Sequence, residues 1–552
     1  ESSPDTYTPT FGVAGYSTAT VNATVTVDNG AVRTYTREDD TELTAVYRGN
    51  GTPDSPYLID TLADLQSINI DSGTRNEQYR LAADIDASAT NESSWNGGRG
   101  FEPITDFTGS LNGDGYAISN LSIDRGNEAS VGLFGDTNAG SSITNVTLVQ
   151  PAVTGGQGTG PLVGSHGGSI SRTVVTGGTA TTEADGEAHL GGLAGVLVDD
   201  AKITQSHTSA IVDANGHNEA GGFAGDIGSN ARVEQVSATG GVKNGGSEIG
   251  GLFGNASSGS EIVEAFAAGN VSGTTNVGGL LGRQGGGGVT VDRAYWDEQS
   301  TGQTSSAGDT ETALPTVKMQ GTAATEFMPG LNFTTTWNTT RDYPVLQVQT
   351  TGTEQPPRTV DTIDATNASL VQSEQVSVSI TVTASEADSR NGFLISVQDA
   401  AGLTSLENAT AVTNETGTAA FNLTESDAGT FTPTFGVAGD ASATTNATLT
   451  VKQGAVRTYT REDGTALTAV YTGNGTPESP YEIDSLADLQ AIDNSSTARN
   501  NSYRLTADID ASATIESSWN DGSGFEPIAN ATDDDEAFTG SLDGDGHTIS
   551  NL

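Results

Sequence analysis

One block of this chain occurs twice, and that constrains its fold more than any other feature. Phe11-Gly12-Val13-Ala14-Gly15 returns as Phe435-Gly436-Val437-Ala438-Gly439, and the run beginning Ala31-Val32-Arg33 returns from Ala455, both at an offset of 424. Past a seven-residue insertion around Asp533-Asp534-Asp535 the offset is 431, so that Asn120-Leu121 reappears as Asn551-Leu552. A chain holding one full repeat and part of the next reads as a slice of a long tandem array. Repeats of this kind bury their apolar faces only against their neighbours.

A shorter period runs inside the first repeat. Gly132-Leu133-Phe134-Gly135 is followed by Pro161-Leu162-Val163-Gly164, Gly192-Leu193-Ala194-Gly195, Gly222-Phe223-Ala224-Gly225, Gly251-Leu252-Phe253-Gly254 and Gly279-Leu280-Leu281-Gly282. The closing glycines lie 29, 31, 30, 29 and 28 residues apart. Short alternating segments such as Ser169-Ile170-Ser171 and Glu261-Ile262-Val263-Glu264 lie between them. Each unit supplies about three short strands, too few for a sandwich and too regular for loops. One coil of a parallel β-solenoid per unit fits, with the apolar residues stacked inside. Glycine beside the stacked residue lets coils approach at about 4.8 Å. The spacing predicts roughly ten coils over 29–349.

This pattern resembles the GLUG motif of bacterial and archaeal surface-protein repeats, over residues 31–349. Asn50-Gly51-Thr52-Pro53-Asp54-Ser55-Pro56-Tyr57 with Leu62-Ala63-Asp64-Leu65-Gln66 is similar to that family's entry segment. Tyr295-Trp296-Asp297, Trp337 and Tyr343-Pro344-Val345-Leu346 are similar to its exit. Pro161 departs from the motif's first glycine. The resemblance implies a right-handed parallel β-helix and no particular activity.

An uncapped solenoid exposes strand edges and an apolar stack. Thr61 with Asp64 has the form of a helix N-cap, and Leu62, Leu65 and Ile68 share one helical face. A capping helix is therefore expected at 61–68 and again at 485–492. Leu314, Val317, Met319, Phe327 and Trp337 are expected to cover the far end. Residues 350–358 form a linker stiffened by Pro356-Pro357. From 359 to 452 strict alternation in some seven short strands, such as Val376–Val382 and Phe393–Val397, indicates an Ig-like sandwich. The expected organisation is thus all-β. Residues 1–28 are the last strands of a sandwich, 29–349 a β-helix with caps, 350–358 a linker, 359–452 a sandwich and 453–552 the start of a second β-helix.

Charge and composition bear on function. The chain carries 70 acidic and 22 basic residues, a formal charge of −48. Such a chain repels itself in dilute buffer and is at ease where molar salt shortens the Debye length to about 3 Å, as in a halophile. No basic patch exists to neutralise phosphates, so nucleic acid is not an expected partner. The absence of cysteine removes disulfides, thiolate metal sites and cysteine nucleophiles. No apolar run of membrane-spanning length is present.

Several residues are candidates for chemistry. Asp84 and Asp86 with Asn112 and Asp114, and their copies Asp508, Asp510, Asp543 and Asp545, place oxygen ligands around Gly-containing turns. This suits calcium, although the same residues make ordinary turns. The five histidines share no metal-ligand spacing. Ser165-His166 lacks the context of a nucleophile. Asp199 with Lys202 could serve a polysaccharide lyase, but acidic turns are expected on any halophilic surface. Sequons at Asn22, Asn145, Asn367, Asn408 and Asn446 are glycosylation candidates.

These features together lead us to expect a non-enzymatic, extracellular repeat protein of a halophile's cell surface, a filament, stalk or adhesin. It would need no cofactor except, at most, calcium. Its partners would be adjacent repeats or further copies, or surface glycans in an adhesin. A surface polysaccharide lyase or hydrolase is the contrasting expectation.

Overall fold

The computed structural model describes residues 5–8, 10–12, 20–22, 25–27, 30–349, 358–384, 392–516, 518–529 and 537–552. Two compact units, Glu1–Pro357 and Arg358–Leu552, divide the chain. The insertion around Asp534 and all of the expected linker except Arg358 lie outside the described residues.

The first unit contains a β-solenoid of about seven turns. Its longest ladder starts with parallel strands Tyr57–Ile59, Gln78–Leu81, Ser110–Asn112, Ser142–Thr144 and Ser169–Ser171. It continues through Lys202–Thr208, Arg232–Ala238, Glu261–Ala267, Thr290–Asp297 and Thr312–Leu314. A second ladder runs from Phe134–Thr137 through Val163–His166, Ala194–Leu197, Ala224–Ile227 and Phe253–Ala256 to Leu281–Gln284. Roughly ten coils were expected, and the difference lies at the two ends. There strands join the long ladder, but the rest of the coil is replaced by capping segments.

Register explains the core. Leu111, Ile143, Ile170, Ile203, Val233, Ile262 and Val291 occupy one column across successive coils. All are buried, and each stabilises the stack by about 1.5–3 kcal/mol. Their polar sequence neighbours face outward, because side chains alternate along a strand. The motif's first glycines form another column. A Cβ on Gly192, Gly222 or Gly251 would lie 2.3, 2.2 or 2.1 Å from the carbonyl oxygen of the corresponding glycine one coil on. Any side chain there would push the coils apart. Where the chain bends inside the long ladder, Asn145, Arg172, Gln205, Gln235, Glu264 and Arg293 all hold left-handed backbone, coil after coil.

The solenoid's first end is closed by an antiparallel hairpin, Gly30–Thr36 with Glu42–Arg48, that continues the ladder at Arg48 and Leu58. Helix Leu62–Gln66 docks on it. Thr61 and Asp64 form the reciprocal capping box, and Asp64 Oδ1 also accepts the Val46 N–H at 2.9 Å. Leu65 and Ile68 are fully buried in the solenoid core.

At the far end the expectation needs correction. Leu314, Met319 and Trp337 are buried and Phe327 packs beside them, but they gather around Phe266 and Tyr295. Phe266 lies between Ala265 and Ala267, which face the solenoid core, so it points outward. The exit segment therefore lies against the outer flank of the last coils. Trp296 closes the stack itself, with its Nε1 donating to the Gln303 carbonyl at 2.9 Å.

In the second unit three small sheets surround one core. They are Thr362–Ala365, Gln375–Thr383 and Thr418–Thr424; Thr410–Val412, Leu394–Asp399, Thr434–Val437 and Thr444–Asn446; and Ala368–Val371, Leu449–Lys452 and Gly429–Phe431. Val378, Ile380, Ile395, Phe421, Phe435 and Leu449 meet between them, with the Phe421 and Phe435 rings 4.9 Å apart. Strands Asp5–Tyr7 with Val25–Val27, and Thr10–Gly12 with Thr20–Asn22, repeat two of these pairings at the chain's start. The hairpin and capping helix then recur as Gly454–Thr460, Ala466–Thr472 and Leu486–Gln490, with Ser485 and Asp488 forming the box.

Candidate functional site

Six of the eight residues suggested for calcium, Asp84, Asp86, Asn112, Asp508, Asp510 and Asp543, accept backbone amides at turns. Asp84 Oδ1 accepts the Ala117 N–H at 2.9 Å, and Asp86 Oδ1 accepts from Ser88 N and from Asn120 Nδ2. Asn112 Oδ1 accepts from Asp114 N and from Asn145 Nδ2, while Asp114 pairs with Arg80 at 3.0 Å. In the second copy Asp508 accepts from Thr548 N, Asp510 from Ser512 N and Asn551 Nδ2, and Asp543 from Asp545 N. The turn amide of Ser88 holds the Asp86 carboxyl below its ordinary range, and Asn551 does the same for Asp510.

Asp199 sits in an exposed turn, where its Oδ1 accepts the Ser229 N–H at 2.8 Å, and Lys202 is exposed. Ser165 and His166 point to opposite sides of their strand. His166 is fully buried with Nδ1 2.7 Å from Thr137 Oγ1, and burial lowers its pKa to about 4. Of the sequons, Asn367, Asn408 and Asn446 are exposed. Asn145 is half-buried, in left-handed backbone, and donates its amide to Asn112. The side chain of Asn22 lies outside the described residues.

A different group is brought together by coil register. Among the described residues, His189, Glu219 and Asp226 are the one set of three acidic or histidine side chains whose ligand atoms lie within 4.8 Å of one another. Leu190, Ala220 and Ile249 pair coil to coil, so the residues just before them, His189, Glu219 and Glu248, stack. Asp226, Asn255 and Arg283 stack likewise along the second ladder. The columns face each other. His189 Nδ1 meets Glu219 Oε2, Asn255 Nδ2 donates to Asp226 Oδ1 at 2.8 Å, and Arg283 pairs with Glu248 at 3.0 Å. Burial pushes Asp226 up from its ordinary carboxylate range, and the hydrogen bond from His189 lowers Glu219.

The histidine spacings along the chain do not predict this cluster, because Glu219 and Asp226 lie one coil on from His189. The available signal was their place in the repeat. His189, Glu219 and Glu248 each stand three residues before the motif's first glycine, while Asp226, Asn255 and Arg283 each follow its last.

No family model matches the chain. Over 125 residues, 22% of its length, it is 35% identical to a putative Gly-rich membrane protein of Evansella cellulosilytica, covering 14% of that protein. Over all 552 residues it is 99% identical to halomucin, a haloarchaeal protein of Haloquadratum walsbyi, and it spans 6% of halomucin's length.

Proposed function

We propose that this chain is a structural segment of an extracellular, cell-surface repeat protein of a halophile. GLUG-type right-handed β-helices and Ig-like sandwiches alternate along it and need no catalytic chemistry. The observation that carries this reading is the return of the complete capping module after the three-sheet region, with Thr61/Asp64 and Ser485/Asp488 making the same two-way cap. Near-identity to a stretch of halomucin, whose name joins salt and mucin, supports it, as does the charge of −48. Exposed Asn367, Asn408 and Asn446 are the sequons best placed to carry glycans on such a surface.

Ten stacked strands at about 4.8 Å give each solenoid about 43 Å of length. Tandem chains of one, two and four repeats, imaged in molar salt, should lengthen in proportion to repeat number. Particles that stay compact as repeats are added would refute the array. The non-enzymatic part has its own test. Purified chain should not turn over acidic or neutral polysaccharides, and turnover lost in Asp199→Asn or Lys202→Ala would overturn it.

A further inference from the structure

The ladder around Glu219 ties successive coils through polar contacts, Asn255 to Asp226 and Arg283 to Glu248, and its composition differs from that of the acidic surface. We propose that His189, Glu219 and Asp226 bind a divalent transition-metal ion of the zinc class, joining one solenoid coil to the next. This goes beyond the array reading and would stand if that reading failed.

The donor set comes first. One imidazole nitrogen and two carboxylate oxygens converge within 4.8 Å. A tetrahedral zinc ion, with bonds of about 2.0–2.2 Å, needs its ligands about 3.4 Å apart. Side-chain adjustment of about an ångström closes the set around such an ion, leaving a fourth position for solvent. His189 Nδ1 is sealed from solvent and set against the Glu219 carboxylate, to which it donates when it carries a proton. A divalent ion would replace that proton and keep both groups as ligands.

The surrounding groups fit as well. Asn255 is buried and directs its Nδ2 at Asp226, which fixes how that carboxylate presents its other oxygen. Arg283 occupies Glu248, the neighbouring carboxylate, and so keeps a third negative charge balanced. The remaining pair, Glu219 and Asp226, has the charge that a divalent ion cancels.

The nitrogen decides the metal. Carboxylate and carbonyl sites favour calcium and magnesium, while imidazole favours zinc, copper and nickel. In molar salt an all-oxygen site would be contested by every abundant cation. The turn carboxylates of Asp84, Asp86 and Asp114 also already accept amide hydrogens or pair with arginine. Only at His189, among the described residues, does a nitrogen donor join two carboxylates at this spacing.

The test uses the full 552-residue chain in molar sodium chloride with calcium in large excess. Zinc added to chain labelled with nitrogen-15 in its histidines should shift the ring signals of one histidine in five, His189, and saturate at one equivalent. The folding constant should then rise about tenfold for each further tenfold of free zinc. His189→Gln should weaken binding at least tenfold, and Glu219→Gln should too. His217→Gln, at an exposed histidine outside the cluster, should bind like the parent. Cobalt(II) in place of zinc should give the intense visible absorption of a four-coordinate site. A shift at another histidine, no shift at all, or binding abolished by calcium would overturn the proposal. Because the histidine titration needs no variant, it decides the matter even if His189→Gln fails to fold.

Discussion

Residues 30–121 and 454–552 have nearly the same sequence and the same local structure, yet they differ in what they bury. In both, an arginine of the hairpin lies over the ring of the tyrosine that opens the next strand. Arg33 lies 4.9 Å from the Tyr57 ring and Arg457 4.9 Å from the Tyr481 ring. Leu111, however, is sandwiched between Tyr79 and Ile143 and fully buried, whereas its copy Leu542 has Tyr503 on one side only and is 41% exposed. Ile118 and Ile549 differ in the same way. The comparison teaches that caps and turns are properties of the segment, while the core of each coil is completed by the next. A coil is half of an interface.

The largest expected contrast follows directly. Leu111→Ala should destabilise the first unit by about 2–5 kcal/mol, as buried leucines do. Leu542→Ala, at an already open position, should cost less than about 1 kcal/mol. Denaturant titrations in molar salt, followed by probes in each unit, measure both. Equal losses would break the comparison.

Next is acid. His166 is held neutral in the first unit's core, with its pKa lowered to about 4, while an unfolded histidine titrates near 6.5. Between these values the unfolded chain binds the extra proton, so stability is complete above about pH 6.5. It falls as pH drops toward 4, by on the order of 3 kcal/mol. Melts of the first unit between pH 7 and 4 should show that slope together with a like one from His207, which burial also lowers to about 4, and His166→Gln should remove its own share. An unchanged slope in the variant would remove His166 from the account.

A smaller effect should be shared. Asp64→Ala and Asp488→Ala each remove one half of a capping box and an anchor to the hairpin. Each should cost about 2 kcal/mol in its own unit. Matching losses would sharpen the distinction between local and stacked interactions, and unequal ones would blur it. The smallest contrast concerns the hairpins' outer faces. Val32 is 72% exposed and its copy Val456 half-buried, so Val32→Thr should be silent within about 0.5 kcal/mol and Val456→Thr slightly costly.

Features written in neighbouring residues were legible before any coordinates. The capping boxes need only four residues, and the glycine motif states its own reason, the approach of one backbone to another. The all-β solenoid followed from the period. What escaped depends on register between coils. The number of full turns was overestimated because strands at both ends join the ladder without closing a coil. The exit segment was assigned to the solenoid's end, since nothing local shows that Phe266 and Tyr295 turn outward to receive it. His189, Glu219 and Asp226 were passed over because histidines were judged by distance along the chain. Glu219 and Asp226 stand 30 and 37 positions after His189, yet the ligand atoms of all three lie within 4.8 Å of one another.

The glycine column also sets how such a protein can change length. Gly192, Gly222 and Gly251 each sit opposite the matching glycine's carbonyl, with no room for a side chain. A few residues inserted within a strand would move every later glycine off its partner and place a bulkier residue there. Loops that leave the stack, such as the exposed stretch near Glu187, are free of that condition. Inheritance can therefore lengthen or shorten the solenoid only in whole coils, by duplicating or deleting blocks near the 28–31 residues seen here.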